Sequence, residues 1–114
     1  MSLLGIAYYP GGTSGPVKDF LDELAVRRPK AFARIALDLS LLAEEGLRSS
    51  RISVRPMGDG LWELKRPHGG IQFRVFLCVS AGFAWLLHAI EKKSAKTPLD
   101  DLRLALKRMR GIVP

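Results

Sequence analysis

Three features of this 114-residue chain predict an α+β fold. Apolar residues recur at helical spacing between Val17 and Gly46, alternate at strand spacing between Leu61 and Val79, and return to helical spacing after Pro98. The order implies an antiparallel sheet with an N-terminal helix hairpin on one face and a C-terminal helix. At this length the chain supports one hydrophobic core, so residues 1–114 are read as a single domain.

The opening stretch LLGIAYY (Leu3 to Tyr9) is short, apolar and aromatic, and stops at PGG, which marks a strand. The following PGGTSGP lacks the Gly-Lys-Ser/Thr ending of a phosphate loop and is read as a connector. Pro16 suits the first turn of a helix whose apolar stripe is Val17, Phe20, Leu21 and Leu24. A tight RRPK joint leads to a longer helix with Phe32, Ile35, Ala36, Leu39 and Leu42 on one side. Gly46 is its expected C-cap.

The second half changes period. LWELK and IQFRVFLCV alternate, FAWLLHAI is apolar almost throughout, and the turn signals Asp59-Gly60, His68-Gly69-Gly70 and Ser80-Ala81-Gly82 separate or precede these runs. Thr97 is expected to cap a last helix with Asp100 in its first turn, and Leu99, Leu102, Leu106 and Met109 form its apolar seam.

Charge is distributed unevenly. Met1 to Ser50 carries six Lys/Arg and six Asp/Glu, whereas Arg51 to Pro114 carries twelve and five, so the whole net charge of +7 lies in the second half. Such asymmetry points to a polyanionic partner, nucleic acid or an acidic protein. Cys78 is the only cysteine, so an internal disulfide is excluded. No apolar run approaches the ~18 residues of a membrane span. The N-terminus carries no signal-peptide pattern, and the cytoplasm is the expected compartment.

Strand alternation places Ile71, Phe73, Val75, Leu77 and Val79 on the face that meets the helix hairpin, with Gln72, Arg74, Phe76 and Cys78 on the other. Arg74 in mid-strand therefore needs either a carboxylate, with Glu63 the nearest in the pattern, or an open face where it can bind phosphate bidentately. His88 falls on the face with Ala84, Leu86 and Ile90, and His68 sits in a turn beside Lys65 and Arg66. Two histidines twenty positions apart with one cysteine do not form a zinc pattern, so no metal and no small-molecule cofactor is expected. Lys92, Lys93 and Lys96 crowd the connector HAIEKKSAKTP, and Arg103, Lys107 and Arg110 recur along one side of the last helix, with Arg108 beside them. Each has a plain explanation as solvated charge. Together they favour a surface for nucleic acid or an acidic partner.

In their order, the GLWELKR strand, the FRVFL strand, WLLHAIEKKSAKTP and the final helix resemble the phage-type HigB toxins of the RelE/ParE superfamily, over about Val17 to Arg110. The resemblance implies a concave RNA-facing sheet, ribosome-dependent mRNA cleavage without metal, and silencing by a cognate helix-turn-helix antitoxin. In that chemistry the ribose 2′-OH attacks the adjacent phosphate and cations stabilise the phosphorane. It assigns Arg74 to the phosphorane and Lys92 and Lys93 to the scissile or flanking phosphates. The proton acceptor is not assigned by it, and His88 or His68 is the candidate that the residues themselves offer. Lys65, Arg66, His68, Lys96, Arg103, Lys107 and Arg110 become RNA contacts, to messenger or ribosome. The chain departs from the pattern in having no aromatic residue in RMRGIVP and in reading Ala89-Ile90 where glycine and phenylalanine are expected. A ParE-like topoisomerase poison and a non-catalytic module docking an acidic protein are the alternatives.

Overall fold

The computed structural model describes residues 2–94 and 96–114. Its elements are β1 (Gly5–Tyr8), α1 (Pro16–Arg27), α2 (Pro29–Glu45), β2 (Ser53–Gly58), β3 (Leu61–His68), β4 (Ile71–Ser80), β5 (Phe83–Lys92) and α3 (Leu99–Arg110). The α+β class is the predicted one, with both N-terminal helices on one face of the sheet. Strand order is β1-β5-β4-β3-β2. The three hairpin-linked pairs are antiparallel, β3–β4 and β4–β5 as expected, but β1 joins β5 in parallel, so the sheet is mixed.

The turns obey the residues that form them. Asp59-Gly60, Gly69-Gly70 and Ala81-Gly82 all adopt positive φ, the geometry of two-residue hairpin turns. Gly46 ends α2 at φ 79°, its N–H bonded to the Leu42 carbonyl. Gly15, at φ 149°, lies where a Cβ would come within 1.8 Å of the Tyr9 carbonyl oxygen. The PGGTSGP stretch thus needs its glycine to pass its own backbone, which accounts for this part of the loop without a ligand.

One strand escaped the sequence pattern. β2 contains Pro56, which removes a ladder donor, and it survives because it is the sheet's edge. Its register with β3 shifts between Pro56 and Gly58.

The larger core lies between the helix hairpin and the sheet. Val17, Leu21, Leu24, Ile35, Leu39 and Leu42 pack on Leu64, Phe73, Val75, Leu77 and Leu86. Leu24, Ile35 and Leu42 are fully enclosed, each such side chain contributing roughly 1.5–3 kcal/mol. A smaller core forms on the other face, where Ala105 and Met109 of α3 cover Leu61, Phe76, Cys78, Leu87 and Ile90. Leu99 is 57% exposed and stands outside the expected seam. Burial pushes the Cys78 thiol pKa up, which leaves it an unreactive part of this core.

β5 holds a feature that alternation alone misses. Leu86 pairs with Leu77 and His88 pairs with Phe76, so Leu87 is an extra residue in the ladder. Beyond this bulge the faces exchange. His88 therefore shares the α3 face with Ile90, opposite to Ala84 and Leu86, which correct the face expected from the sequence.

Asp38 is the hairpin's one buried carboxylate, 1% exposed, and Arg66 of β3 grips it through two hydrogen bonds of 2.7 Å. Hydrogen bonding to Asp38 raises the Arg66 pKa above the ordinary guanidinium value. Arg66→Ala is expected to destabilise the fold by about 3–5 kcal/mol, because it strands a buried charge. An Asp38→Leu/Arg66→Leu double variant should recover most of that loss in chemical denaturation.

Candidate nucleic-acid interface

The sheet face opposite the helix hairpin is only partly covered by α3. At the end near the β3–β4 turn it carries polar side chains on neighbouring strands. Lys65 of β3 stands across from Arg74 of β4, and Gln72 of β4 stands across from Lys92 of β5. Lys65 and Gln72 are half-buried and Lys92 is exposed. Gln72 was not among the residues singled out in the sequence. Its Oε1 is enclosed and has no hydrogen-bond partner among the described residues.

Beneath this surface lies Glu63, which is fully buried. Its Oε1 accepts from Arg74 Nη1 at 2.9 Å and from Arg55 Nε at 3.0 Å. Its Oε2 accepts from the Thr97 hydroxyl at 2.7 Å, and Arg55 Nη2 lies 3.4 Å from that same hydroxyl. One carboxylate therefore ties together β2, β3, β4 and the connector to α3. Such charge-assisted hydrogen bonds are what make a buried carboxylate tolerable.

Two expectations change here. Arg74 is 1% exposed, so the open-face alternative fails and the pairing with Glu63 holds. Thr97 does not cap α3; Pro98 occupies that position without a side-chain cap, because the Thr97 hydroxyl is committed to Glu63.

The structure separates other residues that the sequence grouped. Arg66 belongs to the hairpin face with Asp38, since its strand neighbour Lys65 takes the opposite side. His68 ends β3 at the turn, lining a cavity with Arg28 to Ala31 rather than joining the Arg74 cluster. His88 is clamped under α3, with Nε2 at 2.7 Å from Asp101 Oδ1, Nδ1 at 3.5 Å from Arg108 Nη1, and its ring stacked on Phe76. Arg108 also donates to the Leu87 carbonyl at 2.9 Å and lies over the Tyr9 ring. These contacts make His88 a fastener of α3 and leave it poorly placed to meet a reacting phosphate. Arg103, Lys107 and Arg110 project from α3 into solvent. Lys93 and Lys96 are exposed on the connector, of which Ala95 lies outside the described residues.

Among the described residues no group of three or more His, Cys, Asp or Glu could hold a metal, and no helix is long and apolar enough to cross a membrane.

A family model described as phage-derived protein Gp49-like (DUF891) matches residues 19–110, from within α1 to the last residue of α3. The chain belongs to this family. Gp49-like proteins are a family of RelE/HigB-like toxins, for which an antitoxin is the expected partner. A search of curated proteins returns no match. The Gp49-like match contains every strand of the polar face and the whole Glu63 cluster, while β1 lies before it.

Thr97→Val keeps the side chain's shape and removes its hydrogen bond to Glu63 together with the longer one it accepts from Arg55. It is expected to cost about 1.5–3 kcal/mol, the range for hydrogen bonds to charged groups. Hydrogen exchange should show faster amides in the connector and the first turn of α3, with β3 and β4 protected as before.

Proposed function

We propose that this Gp49-like chain is the toxin of a type II toxin–antitoxin pair and an endoribonuclease that cuts mRNA on the ribosome. The observation that carries this reading is the convergence of Lys65, Gln72 and Lys92 at the surface of one end of the sheet face, with the Arg74–Glu63 pair buried directly behind them. Family membership supplies the toxin class.

The geometry divides the work among the cations. Lys65 and Lys92 reach solvent and hold the scissile phosphate, while Lys93 holds a flanking one. Arg74 sits behind them as a fixed, desolvated charge. A preorganised cation in a poorly solvated wall stabilises a developing phosphorane without reorganising during the reaction. Glu63 fixes the Arg74 guanidinium and is itself neutralised by Arg55, so it repels the substrate little. The 2′-OH loses its proton and attacks the adjacent phosphate, and the P–O5′ bond breaks. The 5′ fragment retains a 2′,3′-cyclic phosphate, and the 3′ fragment leaves with its 5′-oxygen protonated to a hydroxyl. The exposed cations Lys96, Arg103, Lys107 and Arg110 contact messenger or ribosomal RNA. A cognate helix-turn-helix antitoxin silences the toxin by covering the basic face with acidic residues.

Expression in cells followed by primer extension tests this reading. Breaks should appear in translated mRNA, depend on ribosomes and persist in a chelator, and 2′-deoxyribose at the scissile position should block them. Lys92→Ala and Lys65→Ala should each slow cleavage by about 10²–10³, as the loss of one transition-state contact does. Thermal unfolding of Lys92→Ala should stay close to that of the unaltered chain, since an exposed charge contributes only about 0–1 kcal/mol, and the half-buried Lys65, which reaches solvent, should cost little more. Growth arrest with DNA damage and intact mRNA would point to a topoisomerase target instead.

A further inference from the structure

The molecule has a second feature at the same end, outside the sheet face. A cavity of about 310 Å³ opens between the α1–α2 joint and the β3–β4 turn, lined by Arg28, Pro29, Lys30, Ala31, His68, Gly69 and Phe73. That volume falls at the lower end of the range for ligand pockets, about 300–1,000 Å³. Pro29, Ala31 and Phe73 make its walls apolar, Arg28 and Lys30 supply cations, and no carboxylate lines it. A smaller cavity of about 160 Å³, lined by Arg28, Ile71, Glu91, Lys92 and Lys93, shares Arg28 with the first. Its one carboxylate, Glu91, is engaged by Arg27 and lies 3.9 Å from Arg28 Nε. Cations thus follow one another from Lys65 across Gln72 to Lys92 and Lys93, then to Arg28 and Lys30.

We propose that the larger cavity takes one unstacked nucleobase of the same single-stranded RNA whose phosphate the sheet face holds. The proposal rests on the nuclease reading for its substrate and adds a base subsite to it. An acidic peptide would satisfy the cations but leave the apolar walls empty. A nucleotide uses both, its flat base against Pro29 or the His68 ring and its phosphates on Arg28 and Lys30, with the buried Phe73 closing the floor. Because the cavity stands at a fixed position relative to Lys92, it reads a nucleotide at a fixed offset from the scissile bond. The subsite therefore confers a positional preference that phosphate contacts alone cannot give.

An abasic scan of a short fluorescein-labelled single-stranded RNA, read by anisotropy on the full chain, tests this. One position should stand out, where loss of the base weakens binding about tenfold, as for one base–aromatic contact. In a Lys30→Ala/His68→Ala variant with unchanged thermal unfolding, that position should cease to differ from its neighbours. The variant's salt dependence should also fall by about 0.7 in log–log slope, for one lost phosphate contact. A flat scan in the unaltered chain, no binding at low salt, or tighter capture of polyglutamate than of RNA would overturn the subsite. The assay needs neither ribosomes nor cleavage. A chain that fails to cut mRNA can therefore still show the subsite, and one that cuts mRNA but gives a flat scan loses only the subsite.

Discussion

Glu63 is the constraint on which the working half of the molecule depends. A carboxylate with no exposure is costly unless both of its oxygens accept from strong donors. Arg74, Arg55 and Thr97 meet that demand from three separate parts of the chain. The consequence is geometric. The edge strand β2, the central strand β4 and the connector into α3 are held at fixed positions around one point, and Lys65 and Lys92 project from the same frame.

A second carboxylate performs the corresponding task on the opposite face. Asp38 draws Arg66 toward the helix hairpin, while the adjacent Lys65 faces the candidate site. Two neighbouring basic residues in one strand thus have unrelated roles, one structural and one available to a polyanion. Strand pleating makes that division unavoidable, and the two buried acids decide which cation is consumed. The bulge at Leu87 exerts a similar control on β5, turning His88 toward α3, where Asp101 and Arg108 hold it.

The charge of the surface is also a tertiary property. By sequence the first half is neutral. Yet Arg27 and Arg28 fold against the end of β5, Arg28 beside Lys92 and Lys93, while Lys30 lines the neighbouring cavity at the β3–β4 turn, and together they extend the basic surface beyond the half that carries the excess. A polyanion approaching the sheet face would meet a longer electropositive track than the linear charge count suggests.

The sequence by itself determined the α+β class, both N-terminal helices, three strands of the meander, the hairpin turns and the C-terminal helix. These follow from local periodicity and from residues that tolerate positive φ, which act over a few positions of chain. It also singled out Arg74, Lys65 and Lys92, because basic residues in an apolar strand or a short connector stand out without a fold. Only the tertiary structure decided which of the singled-out residues share a site. It buried Arg74 on Glu63, diverted Thr97 from its helix, moved Arg66 and His68 away from the cluster and recruited Gln72. It also admitted β2 despite Pro56, since only sheet order makes that strand an edge. The physical reason is the same in each case: the cost of burying a charge or a polar group is set by partners distant in sequence, and local pattern carries no record of them.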